Sequence, residues 1–310
     1  MIGTRRQVLQ GAVALLGSSC LPRLEAAPAS KSRLILLGTG GGPRPRKANS
    51  ASAQVILVNE VAYVIDCGDG VARQLVAAGV RLSQLRHILL THQHSDHNAD
   101  YGNLLWLAWA AGLQSRVDTW GPPPLANMTK LFFEMNAADI KTRIADEGRK
   151  PIAPLVNVHE LTGGGVVMQD ENVKVTAALV HHPPVTPAFA YRFDAADRSI
   201  VISGDTAPSD ALVALAKGAD VLVHEALYLP AVDRIVASVP NAATLKQHLI
   251  DSHTSAEDCG RIAQAAGVTT LVLSHLVPPD YPDVTDQVWI DAARTQFKGT
   301  VIVAKDLMEM

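Results

Sequence analysis

Cysteine is scarce in this chain, with three in 310 residues. Cys20 falls in an amino-terminal segment expected to be removed, which leaves Cys67 and Cys259. Two cysteines do not make a disulfide framework, even in an exported protein, so two buried free thiols are expected. Long runs of one charge are also missing. Net charge is −3 and no run of Lys and Arg marks a basic groove, which argues against a nucleic-acid partner. The apolar stretch at residues 8–21 is too short to cross a bilayer as a stable helix, and no membrane span is expected. There is no solenoid repeat and no low-complexity linker. Gly38, Gly40, Gly41 and Gly42 are followed by no Gly-Lys-[Ser/Thr], and no later glycine completes a dinucleotide pattern. They read as a tight loop rather than a phosphate cradle.

What is present is an ordinary globular composition, 48% hydrophobic and 18% charged, enough to bury a full core. The first thirty residues stand apart. Arg5 and Arg6 precede the apolar stretch, and Ala26, Ala27 and Ala29 follow it as small residues where a signal peptidase could cut. That order matches a twin-arginine export signal over residues 1–30. Gly17, Ser18 and Ser19 before Cys20 make a poor lipobox. A periplasmic or secreted protein is expected, with residues 31–310 forming a single domain.

Along that domain, β-rich stretches alternate with helical ones in both halves. Strands are expected at residues 33–37, 54–58, 61–65, 87–90, 173–180, 188–193, 199–203, 221–224, 270–274 and 301–304. Helical character marks 70–78, 104–111, 128–147, 211–217 and 255–266, the last capped by Thr254 or Ser255. Gly121-Pro122-Pro123-Pro124 breaks the chain between the halves. Two mixed sheets sandwiched between helices fit this order, which is an α/β architecture.

The strand at 87–90 runs into Thr91-His92-Gln93-His94-Ser95-Asp96-His97. Three imidazoles and a carboxylate thus fall within residues 92–97, at a strand end that can aim neighbours in different directions. His and Asp suit zinc and similar ions. His92 and His94 can serve one metal while Asp96 and His97 serve a second.

The motif H-x-H-x-D-H after a strand resembles the metallo-β-lactamase fold superfamily. Other segments extend the likeness from Gly38 to His275. Leu37-Gly38-Thr39-Gly40-Gly41 looks like the family's first strand and loop, and Asp66-Cys67-Gly68-Asp69-Gly70 looks like its D-C-G-[DE]-G turn. Ser203-Gly204-Asp205-Thr206 resembles the S-G-D-T segment, and His275 matches the last histidine ligand. Val223-His224-Glu225-Ala226 and Ser252-His253-Thr254-Ser255 resemble the H-E-A-T and H-S-T segments of the tRNase Z-like branch, which also holds arylsulfatases.

The resemblance implies a four-layer αββα sandwich and two divalent ions, zinc with manganese as the alternative. It implies that His92, His94 and His182 hold the first ion, that Asp96, His97 and His275 hold the second, and that Asp205 bridges them. A hydroxide held between the ions would attack an ester-type bond. His181 competes with His182; the family ligand sits at the strand-to-loop junction, which favours His182. Glu225 and His253 are implied as a pair that delivers a proton to the leaving group; with Asp96 they are the expected catalytic residues. Asp66 either orients a ligand imidazole or caps the glycine turn, and Cys67 reads as structural.

The expected substrate is a sulfate or phosphate ester of a small molecule, as for an arylsulfatase or phosphodiesterase. A β-lactamase or lactonase is the alternative, and a tRNA 3′-processing nuclease is ranked below both. Export would separate the enzyme from tRNA. Lys130, Lys141, Arg143, Arg149 and Lys150 are also offset by Glu134, Asp139, Asp146 and Glu147, which gives little attraction for a phosphate backbone. Trp106, Trp109, Trp120, Phe132 and Phe133 could wall an apolar pocket or fill an ordinary core. His87, His159, His224 and His248 have no expected role. A homodimer is expected by likeness to the family.

Overall fold

The computed structural model describes residues 32–239 and 241–310. The expected export signal therefore lies outside the described residues.

Two seven-stranded sheets face each other. The first contains β1 (Arg33–Gly38), β2 (Ala53–Val58), β3 (Val61–Ile65), β4 (Leu85–Leu89), β5 (Val117–Gly121), β6 (Val156–Glu160) and β14 (Met308–Glu309), in the order β14-β1-β2-β3-β4-β5-β6. The second contains β7 (Gly165–Gln169), β8 (Val173–His182), β9 (Val185–Ala195), β10 (Ser199–Ile202), β11 (Val221–Leu227), β12 (Thr270–Val277) and β13 (Thr300–Val303), in the order β13-β12-β11-β10-β9-β8-β7. Each sheet is mixed. β3 to β6 run parallel, as do β10 to β13, and the remaining pairs are antiparallel.

The helices are α1 (Val71–Ala77), α2 (Ser95–Asn98), α3 (Tyr101–Ala110), α4 (Leu125–Met135), α5 (Ala137–Glu147), α6 (Asp210–Leu215), α7 (Val232–Ala237), α8 (Leu245–Ser252), α9 (Ala256–Ala266) and α10 (Asp286–Arg294). α1, α3 and α4 cover the outer face of the first sheet, and α6, α9 and α10 that of the second. The result is the expected αββα sandwich.

Strand sequences explain the layering. In β1, Leu34 and Leu36 enter the core between the sheets, while Ile35 and Leu37 enter the core beneath the helices. Val221 and Val223 of β11 likewise face the first sheet, and Leu222 faces α9. Side chains alternate along a strand, and here both faces are covered, so Leu34–Leu37 and Val221–Val223 are unbroken apolar runs. Cys67 and Cys259 are free and buried in the two different outer cores, as expected. Ser255, rather than Thr254, caps α9 by accepting from the Asp258 amide.

Several elements escaped the sequence reading. β5, β6, β7, β14, α7, α8 and α10 were not anticipated, and α3 starts at Tyr101 rather than at 104. Residues 128–147, which read as one or two helices, form parts of two, α4 and α5. The carboxyl ends of the parallel strands in both sheets gather at one edge. That is where ligands bind in parallel α/β sheets.

Candidate metal centre

Most of the inward-facing groups at that edge come from the ends of strands or the turns that follow them, with His248 and His253 supplied by α8 and its carboxyl end. Asp66 follows β3 with a positive φ of 59°. Its carboxylate accepts from the Thr91 amide at 2.7 Å and from the Thr91 hydroxyl at 2.9 Å. It also accepts from His97 Nδ1 at 2.7 Å. The glycine turn is held instead by Asp100, which accepts from the Gly70 amide at 2.8 Å. Of the two roles considered for Asp66, orienting an imidazole is the one the geometry displays.

These bonds set the ring tautomers. Thr91 has one hydroxyl hydrogen and gives it to Asp66. His92 Nδ1, 3.0 Å from that oxygen, must therefore donate to it. His182 Nδ1 donates to the Ser252 carbonyl at 2.8 Å. In His92 and His182 the proton sits on Nδ1 and Nε2 turns a lone pair inward, while Asp66 holds the His97 ring by the same Nδ1 edge.

Two clusters that share Asp205 result, beside a third group of Glu225, His253 and His275. In the first, His94 Nδ1 lies 3.0 Å from His92 Nε2 and 3.1 Å from His182 Nε2, and Asp205 Oδ2 is 3.9 Å from His92 Nε2. In the second, Asp96 Oδ2 lies 3.2 Å from His275 Nε2 and 3.7 Å from His97 Nε2. Asp205 Oδ1 is 3.3 Å from His97 Nε2, and Asp205 Oδ2 is 3.2 Å from His275 Nε2. Asp205 belongs to both clusters. His181 is exposed and joins neither, whereas His182 is buried within the first.

The residues fit divalent ions. Four N or O ligands at 2.0–2.2 Å around a tetrahedral ion stand roughly 3.3–3.6 Å apart. The spacings here, 3.0–3.9 Å, bracket that range. His97 Nε2 and Asp205 Oδ1 are buried with no hydrogen-bond partner, although they face each other. Charge tells the same story. Burial opposes ionisation of Asp205, but the His275 and His97 imidazoles outweigh it and hold its carboxyl well below the usual range. Burial likewise opposes charge on His97, yet Asp205, Asp66 and Asp96 lift it well above the ordinary histidine value. The carboxylates draw positive charge into the site.

Two local devices hold the second cluster. β12 carries a bulge against β11, and His275 is the extra residue, with φ of 42°. A non-glycine residue there is strained, as is common where a bulge re-aims a functional side chain. The glycine loop after β1 lies directly on this ring. A Cβ on Gly41 would stand 2.6 Å from His275 Nδ1, so only glycine fits. The Gly42 amide donates to Asp96 Oδ2 at 2.8 Å. Arg46 clamps the loop by donating to the Gly41 carbonyl at 2.6 Å and the Gly42 carbonyl at 3.2 Å.

Glu225 and His253 meet beside the clusters. His253 Nδ1 donates to Glu225 Oε1 at 3.1 Å, and the Thr254 and Thr206 amides donate to the same oxygen. Burial opposes charge on His253, but Glu225 overcomes it and pushes the imidazole up to about 9. His253, His275, Asp96 and Asp205 all line a cavity of about 310 Å³. Its far wall is apolar and comes from α7, α8 and the segment between them, with Ile235, Val239, Leu245 and Leu249. The aromatic residues considered for that wall lie elsewhere. Trp109, Trp106 and Phe133 pack with Ile140 and Ile152 in a separate core. His248, given no role from the sequence, lines the cavity. His87 stacks on Tyr63, His159 stacks on Trp120, and His224 bonds a backbone carbonyl; none of these three touches the cavity.

A β-lactamase superfamily domain model matches residues 62–276, more than half of the chain. The chain belongs to the metallo-β-lactamase superfamily, a family of metal-dependent hydrolases. Within it, the chain is 34% identical over 277 residues to Ribonuclease Z of Mycobacterium bovis (strain BCG / Pasteur 1173P2), covering 88% of this chain and 96% of the relative. In fold it is similar to the metallo-β-lactamase fold protein YhfI from Bacillus subtilis, with a TM-score of 0.67 and 20% identity over 90% of this chain and 98% of the other. It is also similar in fold to the short form of human tRNase Z, with a TM-score of 0.65 and 22% identity over 90% and 98% of the two chains.

These relatives correct one expectation. A small-molecule substrate with no nucleic acid was expected, yet the relative that matches nearly the whole chain is named a ribonuclease. Residues 125–147 are helices packed on the domain, and Arg143 pairs with Asp139 and Glu147. The cations at the cavity, Arg44 and Arg46, come from the glycine loop.

Proposed function

We propose that this protein is a dinuclear metal-dependent phosphodiesterase whose substrates include RNA. The observation that carries the reading is that Asp205 belongs to both ligand clusters, with the Glu225–His253 pair opening onto the same cavity. Two sites sharing a carboxylate suit in-line displacement at phosphorus, where attacking and leaving oxygens both need stabilisation. His92, His94, His182 and Asp205 would hold one ion, and Asp96, His97, His275 and Asp205 the other. When bound, divalent ions there supply Lewis acidity and make water acidic enough to serve as a nucleophile near neutral pH.

The chain's own groups do the rest. Asp66, Thr91 and the Ser252 carbonyl orient the imidazoles. Glu225 holds His253 by Nδ1, which leaves Nε2 to bear a proton for the departing oxygen. Arg44 at the cavity wall attracts an anionic ester. The names of the relatives support RNA over the small sulfate or phosphate esters expected from the sequence.

A substrate screen with zinc and with manganese tests this. Its panel is an RNA with a 3′ extension, bis(4-nitrophenyl) phosphate, 4-nitrophenyl sulfate, a lactone and a β-lactam. Phosphodiester cleavage is expected, with a loss of at least roughly a hundredfold in Asp205→Asn. Turnover of the sulfate, lactone or lactam without any phosphodiester cleavage would overturn the proposal.

A further inference from the structure

We propose that His248 determines substrate specificity by accepting a hydrogen bond from a nucleoside seated against the apolar wall of the cavity. This rests on the phosphodiesterase reading above. His248 stands on α8, with its ring centroid 6.0 Å from that of His94, 5.9 Å from His182 and 5.6 Å from His253. It belongs to neither ligand cluster, yet it lines the same cavity.

Its tautomer follows from its neighbour. The Ser252 hydroxyl donates its one hydrogen to the Pro183 carbonyl at 2.5 Å. His248 Nδ1, 3.2 Å from that hydroxyl oxygen, must then be the donor to it. A neutral imidazole protonated on Nδ1 carries its lone pair on Nε2. That atom makes no hydrogen bond among the described residues. An acceptor in a ligand cavity favours a substrate that brings a donor and penalises one that does not.

The cavity sets the size and character of that substrate. At about 310 Å³ it sits at the lower end of small-ligand pockets, roughly 300–1,000 Å³. It has room for one ring-bearing residue beside the reacting bond, not for a folded segment. Ile235, Val239, Leu245, Leu249 and Val277 offer a surface for a flat ring. Arg46 is bound to the carbonyls of its own loop. The substrate group that fits against this wall is therefore flat and furnished with a hydroxyl or N–H donor. A nucleoside has both features.

The test compares two substrates with the same leaving group. Thymidine 5′-(4-nitrophenyl phosphate) carries sugar and base donors, and bis(4-nitrophenyl) phosphate carries none. His248→Phe keeps a ring of similar shape and removes the lone pair. It should lower kcat/KM for the nucleoside ester by roughly ten- to hundredfold, mostly through KM, and for the donor-free ester by less than about threefold. His248→Gln, which restores an acceptor, should recover part of the loss. Metal content should match the wild type in both variants. Equal losses on the two substrates, or none on either, would overturn the inference while leaving the phosphodiesterase reading intact. Wild-type protein that cleaves neither diester would overturn that reading, and this inference with it.

Discussion

At the scale of single residues, the Glu225–His253 pair makes the sharpest commitment. The pair is buried, hydrogen-bonded, and outside both ligand clusters that share Asp205. A proton donor matters most when the departing oxygen is a poor leaving group. His253→Ala should slow turnover by roughly a hundred- to ten-thousandfold on such esters and much less on nitrophenyl esters. Rates measured across substituted phenyl phosphodiesters should fall more steeply with leaving-group pKa in the variant, at unchanged metal content. A uniform loss across the series would show that His253 positions structure and moves no proton. Much at this scale was legible in the sequence. His92, His94, Asp96 and His97 announce themselves by crowding into one short loop after a strand. His182, Asp205 and His275 lie far apart in the chain, and only likeness to a family joined them to the loop. His248 belongs to no motif; the fold of α8 alone brings it to the cavity. The choice of His182 over His181 also rested on that likeness, since the family ligand sits at the strand-to-loop junction.

At the scale of elements, the glycine loop after β1 acts as a brace for the bulge in β12. The loop and the bulge are joined by the Gly41 amide, which donates to the Leu276 carbonyl, and by an isolated bridge between Gly40 and Leu276. A methyl group on residue 41 would strike both the His275 ring and Val277 Cγ2 at 2.6 Å. Gly41→Ala should push His275 off its position and deplete the ion held by Asp96, His97 and His275. A displacement of about 1 Å costs on the order of a hundredfold in rate. Elemental analysis should give close to one ion per chain in place of two, with an unchanged far-ultraviolet spectrum. Two retained ions and a wild-type rate would show that the brace is not needed. Of the strands missed from sequence, β6, β7 and β14 are edges of their sheets. An edge like VNVHE is only half-covered on both faces, so its apolar content is low and the strand signal fades. β5, an interior strand of sequence VDTWG, was missed for the same lack of an apolar run, whereas the apolar edge strand β13 was read.

For the whole molecule, the centre is a seam. His92, His94, Asp96 and His97 follow β4 of the first sheet, while His182, Asp205 and His275 come from β8, the end of β10 and β12 of the second. Three large apolar cores hold the layers, including the one between the sheets that contains Leu34, Phe189 and Val223. The fold should therefore survive removal of metal, unlike a small zinc module that unfolds without its ion. The ions would still bind the native state and not an extended chain in which these ligands are dispersed. That is linkage, and at a free concentration one hundred times Kd it contributes about 2.7 kcal/mol per site. For a domain of this size the rise in Tm is roughly 5 °C for one such site. Thermal unfolding followed by circular dichroism should show chelated protein as folded, with a lower midpoint that returns on adding zinc or manganese. Asp205→Asn, which weakens both sites at once, should remove most of the metal-dependent rise. A chelated protein with no cooperative transition would mean that the cores do not suffice. Equal midpoints with and without metal would mean that the clusters bind no ion in the native fold.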